Sequence, residues 1–183
     1  MNLFIQLLAI DPQLFFYQVF VVIFSVCLHE YAHAGTALFF GDDTAEKAGH
    51  LTLNPFRQMG IMSLLMLMFC GIAWGAVPVD PEKLKARHKK AELWVSLAGP
   101  LVNLMLFLAG TLIFTGIQVF LAFQEDVPGN QFLFVNLLIL SFLFGKINGL
   151  LLILNLLPVP GFDGWNVVKE LVPGEQKFRL SSE

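Results

Sequence analysis

The chain has 183 residues, of which 56% are hydrophobic and only 14% are charged, and its mean hydropathy is +0.71. This composition lies far outside the usual range of a water-soluble domain and predicts a protein whose solvent is lipid. A net charge of −3 gives no reason to expect nucleic acid as a partner. The two cysteines lie in apolar runs without a CxxC spacing, so neither a disulfide framework nor a thiolate metal site is expected.

The first long apolar segment, residues 13–40, follows the Asp11-Pro12 break and contains a single charged residue, Glu30. A helix needs about 20 residues to cross a bilayer, so this segment predicts a transmembrane span. The more polar residues 43–60 carry turn-forming glycine, asparagine and proline and predict a loop. The alternation of polar and apolar residues at 50–53 predicts minor β-structure within that loop.

Three further apolar segments follow. Residues 61–77 are too few for an ordinary span and end in a proline-rich turn, so they predict either a short span or a re-entrant hairpin. Residues 93–123 and 132–157 are long enough to be two more transmembrane helices. The fold class is therefore an all-α membrane protein, organised as a single domain over residues 1–183, with the first span at 13–40.

Lysine and arginine near the ends of spans accumulate on the cytoplasmic side of a membrane. If residues 61–77 dip into the bilayer and return, all the cations outside the spans fall on one side. A full crossing would divide them between the two faces. The charge pattern therefore favours the re-entrant hairpin, and it predicts that the C-terminal end of the first span faces the cytoplasm.

His29 and His33 are four residues apart, so on a helix they stand one turn apart on the same face and can bind one metal ion together. Glu30 lies beside them. Two histidines and a glutamate in the middle of a hydrophobic span are energetically costly, which favours a functional role over a surface-helix interpretation. The His29-Glu30-Tyr31-Ala32-His33 sequence therefore predicts a zinc site with Glu30 as the general base.

A catalytic zinc ion usually has three protein ligands, and Asp163 is the best candidate for the third. It directly follows an apolar span in a stretch whose prolines exclude regular helix and whose glycines permit tight turns. The histidines lie in the C-terminal half of their span and Asp163 follows the end of its own. The two helices must therefore run in the same direction, which the re-entrant hairpin allows and a full crossing does not.

Lys146 and Asn148 form a further polar cluster inside a predicted span, apart from the predicted zinc ligands. A metal-ion transporter would place several such groups along a path. Hydrogen bonding between helices, with Lys146 snorkelling or pairing, is the preferred interpretation of this isolated cluster.

The chain resembles the site-2 protease family of intramembrane zinc metalloproteases, in a compact form without a PDZ domain. The resemblance covers nearly the whole sequence and rests on these stretches: the 29–33 motif, the loop at 49–55, the turn at 77–79, Ser96-Leu97-Ala98-Gly99-Pro100-Leu101-Val102-Asn103, and residues 155–164. It implies one Zn²⁺ per chain bound by His29, His33 and Asp163, with Glu30 as the catalytic base. It also implies that Asn155 helps to hold an extended substrate strand and that Asn103 lines the active site as a second substrate-binding residue.

The expected function is proteolysis of transmembrane proteins or peptides within or near the lipid bilayer, by a multi-pass membrane enzyme whose active site faces the cytoplasm. The alternative is a proteolytically inactive zinc-binding membrane protein that acts through partner binding. Glu30 argues against the alternative, and so does the shortage of a fourth protein ligand, because structural zinc sites usually close with four. The substrate and the oligomeric state are left open by the sequence.

Overall fold

Three long apolar helices form the body of the protein and confirm the all-α membrane architecture. The computed structural model describes residues 3–124 and 129–172, and these helices are α2 (Pro12–Phe39), α7 (Ala91–Ala122) and α8 (Gln131–Asn155). Each is long and apolar enough to cross a bilayer. The shorter helical elements are a 3₁₀ turn at Phe4–Gln6, α1 (Leu7–Ile10), α3 (Thr44–Lys47), α4 (Pro55–Gln58), α5 (Gly60–Cys70), α6 (Pro81–Arg87) and α9 (Asp163–Leu171). The organisation as one domain stays a prediction.

Local sequence signals set where the long helices begin. Asp11 is the N-cap of α2, and its side chain accepts a hydrogen bond from the Leu14 amide at 3.0 Å, with Pro12 at the first helical position. Asn130 caps α8 in the same way through the Leu133 amide at 3.2 Å. These caps satisfy amides that have no partner within the first turn of a helix.

Helices α2 and α8 run in the same direction. Near their N-terminal ends, the Tyr17 hydroxyl donates to Asn136 Oδ1 at 2.9 Å. At mid-length, Asn148 Nδ2 donates to Ser25 Oγ at 2.9 Å, and both of these side chains are fully buried. The polar contact expected for Asn148 is thus a hydrogen bond between helices, and the parallel arrangement places the C-terminal ends of α2 and α8 together.

The segment at residues 61–77 folds as a hairpin rather than as a span. Helix α5 has 11 residues and is therefore about 16 Å long, roughly half the thickness of a hydrocarbon core. The chain then turns back in an extended conformation: Ser63 Oγ donates to the Trp74 carbonyl at 2.7 Å, and the Ala76 amide donates to the Gln58 carbonyl. Residue 76 thus returns to the level at which α5 starts, which is the chain reversal that a re-entrant hairpin requires; the position of this segment in a membrane stays a prediction.

The predicted β-structure at residues 50–53 is wrong. Leu51 and Thr52 form a bend, His50 and Leu53 have no regular secondary structure, and no β-strand occurs within residues 3–124 and 129–172. The buried Gln58 side chain explains the difference, because its Nε2 donates to the carbonyls of His50 at 2.7 Å and Thr52 at 2.6 Å. A side-chain amide thus satisfies backbone groups that the alternating pattern would have assigned to a neighbouring strand.

A buried carboxylate fixes the end of the hairpin. Asp42, which follows α2, is fully buried and its Oδ2 accepts a hydrogen bond from the Asp80 amide at 2.7 Å. Burial by itself would raise the pKa of Asp42, but the hydrogen bonds from Asp80 and Thr44 outweigh it and leave the pKa below its usual value. Beside it, hydrogen bonds from Lys47 and Lys83 lower the pKa of Asp43 to about 2. The polar cluster ties the C-terminal end of α2 to the chain that leaves the hairpin.

Candidate metal centre

The three predicted metal ligands meet at the junction of α2 and α9. His29 Nε2 lies 3.0 Å from Asp163 Oδ2, and His33 Nε2 lies 3.3 Å from Asp163 Oδ1. The two imidazole Nε2 atoms are 2.9 Å apart. One ligating atom from each residue therefore falls within 4.8 Å of the others, in a site where both histidines are buried.

The loop between α8 and α9 brings Asp163 back to α2. Its chain reverses at Gly161, which has a φ of +101°, a conformation that glycine adopts without strain. A Cβ at Gly164 would collide with the carbonyls of Leu156 and Leu157, so the start of α9 can pack on the end of α8 only because residue 164 is glycine. The turn and the close packing together place the Asp163 carboxylate in front of the two imidazoles.

The donor set fits zinc. Asp163 Oδ2 is buried and has no hydrogen-bond partner among the described residues, although His29 Nε2 is close to it. Buried carboxylate oxygens without a partner are costly, and two imidazole nitrogens facing each other repel unless a proton or a cation lies between them. Two imidazoles and one carboxylate are also a common ligand set of catalytic zinc, which leaves a further position open for water.

Contacts from α7 determine which nitrogen of each histidine faces the metal centre. His33 Nδ1 lies 2.7 Å from the Val95 carbonyl, which can only accept, so Nδ1 carries the proton and Nε2 keeps its lone pair. His29 Nδ1 lies 3.1 Å from the side-chain amide of the fully buried Asn103, whose Oδ1 has no partner. Turning that amide by 180° lets Oδ1 accept the proton of Nδ1, which frees the His29 Nε2 for a metal ion.

Two glycines let backbone approach the site closely. A Cβ at Gly99 of α7 would collide with the Nε2 atoms of both His29 and His33. A Cβ at Gly75 of the hairpin would collide with the carboxylate of Glu30. The hairpin thus covers the glutamate from one side while α7 covers the imidazoles from another, and both contacts require the absence of a side chain.

The site opens into a cavity of about 350 Å³. Glu30 lies in its wall, 7% exposed, next to the ligands in sequence. Asn103 and Asn155, the two residues expected to bind substrate, also line it. The rest of the lining comes from the hairpin, α2, α7, α8, the loop before α9 and α9 itself, and includes Val26, Ala73, Trp74, Ala76, Val77, Val79, Ser96, Leu151, Leu154, Gly161, Phe162 and Asn166.

Sequence reasoning missed several groups that shape this site. Nothing in the sequence distinguishes Gly75 from the other glycines of the chain, although it is the residue that touches Glu30. The Val95 carbonyl carries no signal in the sequence, because every residue has a carbonyl. Gly99 belongs to one of the stretches that carry the family resemblance, but its contact with both imidazoles could not be inferred from its position in the chain.

Comparison with known proteins agrees with this geometry. Residues 17–182 match Peptidase family M50. The chain belongs to Peptidase family M50, the site-2 protease family. It is therefore a zinc metallopeptidase, and with three apolar helices it is an integral membrane protein.

Individual relatives point the same way. The chain is 34% identical over 171 residues to "Putative zinc metalloprotease YwhC" of Bacillus subtilis, a match that covers 90% of the chain and 73% of that protein. It is 34% identical to "Putative zinc metalloprotease Rip2" of Mycolicibacterium smegmatis and 36% identical to the protein of the same name in Mycobacterium tuberculosis. Each of these two matches covers 86% of the chain but only 58% of the relative. No solved structure matches the chain significantly.

Proposed function

We propose that this M50 metallopeptidase cleaves peptide bonds of membrane-protein substrates within or near the bilayer, with one zinc ion per chain bound by His29, His33 and Asp163. The observation that carries the proposal is the convergence of these three side chains, of which the two histidines are buried and come from the interior of an apolar helix. Ionisable groups placed at membrane depth are usually functional, because their burial in hydrocarbon is otherwise costly.

Glu30 is the proposed general base. When bound, zinc supplies the Lewis acidity that activates a water molecule and polarises the peptide carbonyl. Glu30 accepts the proton of the attacking water and returns it to the leaving amine. Gly75 keeps the hairpin backbone against the Glu30 carboxylate, which limits the positions that the carboxylate can adopt and excludes bulk water from that side.

The substrate must reach this site as an extended chain. A peptide carbonyl within a helix is already hydrogen-bonded, so a transmembrane substrate has to unwind locally before it can be attacked. Asn155 lines the cavity at the C-terminal end of α8 and is proposed to hold such an extended strand. For Asn103, the buried contact with His29 favours a role in positioning the ligand over direct binding of substrate.

The active site is proposed to face the cytoplasm. The re-entrant hairpin returns to the side on which α2 ends, so the loops that contain Lys47, Arg57 and the basic residues of α6 lie on that same side. Lysine and arginine in short loops favour the cytoplasmic face. The C-terminal end of α2, which carries the histidines, belongs to that side.

Replacing Glu30 by glutamine tests the mechanism directly. The purified chain, reconstituted in lipid vesicles, is assayed for zinc content and for cleavage of a membrane peptide with a helix-weak centre. Glu30→Gln is expected to keep its zinc and to lower the rate of cleavage by about 10²–10⁴-fold, because the amide cannot accept the proton. Glu46→Gln, a change of the same kind in the short helix α3, is the control and is expected to retain full activity.

Asp163→Ala tests the metal site and should lose both zinc and cleavage. Hydrolysis that persists in Glu30→Gln would reject Glu30 as the base. A wild-type chain that binds zinc but cleaves no membrane peptide would support the alternative of an inactive zinc-binding membrane protein that acts through partners.

A further inference from the structure

Lys146 is a charged residue on the outer surface of a transmembrane helix. It lies in α8, about 14 Å along the helix axis from Asn155 and about 22 Å from Gln131, so it is close to the middle of the span. Its side chain is exposed, and it shares its helix face with three exposed apolar residues: Phe142, Leu150 and Ile153. In a bilayer this face is in contact with lipid.

Nothing within the described part of the chain neutralises this charge. Lys146 takes part in no ion pair among residues 3–124 and 129–172, and its closest aromatic contact is the Phe142 ring, with Nζ 6.0 Å from the ring centre. The side chain thus reaches towards the N-terminal end of α8, as side chains on a helix generally do. That direction leads away from the nearer end of the helix, and the distance to the farther end exceeds the length of a lysine side chain.

The face of Lys146 is distinct from the face that builds the zinc site. Asn148, two residues later, is fully buried and donates to Ser25 of α2. Two residues along a helix correspond to a rotation of about 200°, so Lys146 points roughly away from α2. The face opposite Lys146 therefore joins α8 to the helix that carries His29 and His33, while Lys146 is free to contact another molecule.

Charged residues inside transmembrane segments almost always face a bundle interior or pair with another group. From this we infer that the α8 face around Lys146 is a docking surface for a membrane-spanning helix of a different protein, one that carries an aspartate or glutamate near the bilayer centre. The apolar neighbours Phe142, Leu150 and Ile153 supply the packing surface on which such a helix would lie.

A second copy of this chain does not meet the requirement. The three long helices contain two acidic residues, Glu30 and Glu92. Glu30 is buried at the metal centre, and Glu92 lies in the first turn of α7, where Lys85 pairs with it at 3.2 Å. Neither offers a lipid-facing carboxylate at the depth of Lys146, so the three long helices of a second copy do not supply the partner.

The test uses two designed transmembrane peptides of leucine and alanine, one with a central glutamate and the other with glutamine at the same position. Binding is measured by energy transfer in neutral phosphatidylcholine vesicles between a labelled peptide and the labelled full chain carrying Glu30→Gln, which prevents cleavage. The glutamate peptide is expected to bind roughly tenfold more tightly than the glutamine peptide. Lys146→Leu and Lys146→Gln should abolish this preference, whereas Ile153→Leu on the same face should retain it.

A charge exchange completes the test. Lys146→Glu should bind a peptide with a central lysine in preference to the glutamate peptide. Equal binding of the glutamate and glutamine peptides to the unsubstituted Lys146 chain would overturn the inference, and so would a preference that survives Lys146→Leu. Binding that depends only on anionic lipid in the vesicle would assign Lys146 to a lipid headgroup and would also overturn it. A Lys146→Leu chain that retains Glu30 should cleave the helix-weak peptide at the unchanged rate, which shows that the variant is folded.

Discussion

Gly99 is the position at which the smallest possible change should damage the metal centre. A Cβ added to Gly99 would fall on the Nε2 atoms of both His29 and His33, whereas ordinary contacts of a Cβ are 3.4–4 Å. The imidazoles or the α7 backbone would have to move by about 1 Å to relieve the collision, and a displacement of that size can reduce catalysis by about 100-fold. The obstruction lies where the histidines present the nitrogens that are proposed to bind zinc.

Gly99→Ala is therefore expected to weaken zinc binding by at least about tenfold and to lower kcat/KM for a membrane peptide by about 100-fold. Zinc affinity is measured by equilibrating the reconstituted protein with zinc buffers, and kcat/KM by cleavage of the peptide. Gly116→Ala is the matched control, because it is the same substitution in the same helix at a site with no atom within 4 Å of the added Cβ. A Gly99→Ala protein that binds zinc as tightly as the control would refute the proposed packing of α7 on the ligands.

Three further changes probe the surroundings of the metal centre. Asn103→Leu should weaken zinc binding by about 10–100-fold, because the contact with His29 is lost. Asn103→Asp can still accept a hydrogen bond from His29 Nδ1 and should retain most of the zinc affinity. Equal zinc affinities in the two variants would contradict the positioning role. Gly75→Ala should displace the Glu30 carboxylate and lower kcat while zinc content, measured by elemental analysis, stays unchanged; loss of zinc would place the effect elsewhere. Asp42→Ala should lower the free energy of unfolding by about 1–3 kcal/mol, because it leaves buried amide groups without an acceptor. The pKa of Asp42 is lowered in the folded protein, so its contribution to the free energy of unfolding is complete above the ordinary pKa of an aspartate. That contribution is lost as the pH falls through the lowered pKa. Thermal unfolding measured from pH 7 to pH 3 should therefore show a smaller acid destabilisation in Asp42→Ala than in the wild type.

The sequence by itself determined the class of the protein and singled out the residues that are proposed to carry its chemistry. Three segments are so apolar and so long that only membrane-spanning helices satisfy their backbone groups. The four-residue spacing of His29 and His33 places both side chains on one face of a helix. Asp163 was predicted as the third ligand because it directly follows an apolar span. The charge pattern and the required direction of the ligand-bearing helices both favoured a re-entrant hairpin, and the hydrogen bond between Ser63 and Trp74 agrees with the chain reversal that such a hairpin needs.

The tertiary structure decided everything that depends on how the helices are rotated against one another. The backbone carbonyl of Val95, the amide of Asn103 and the missing side chain of Gly99 all meet the histidines across a helix interface, and no local pattern encodes that meeting. The error at residues 50–53 has the same origin, because the amide of Gln58 takes the backbone carbonyls that the alternating pattern assigned to a strand. Periodicity fixes which face of a helix is apolar, but only packing fixes which atoms that face finally touches.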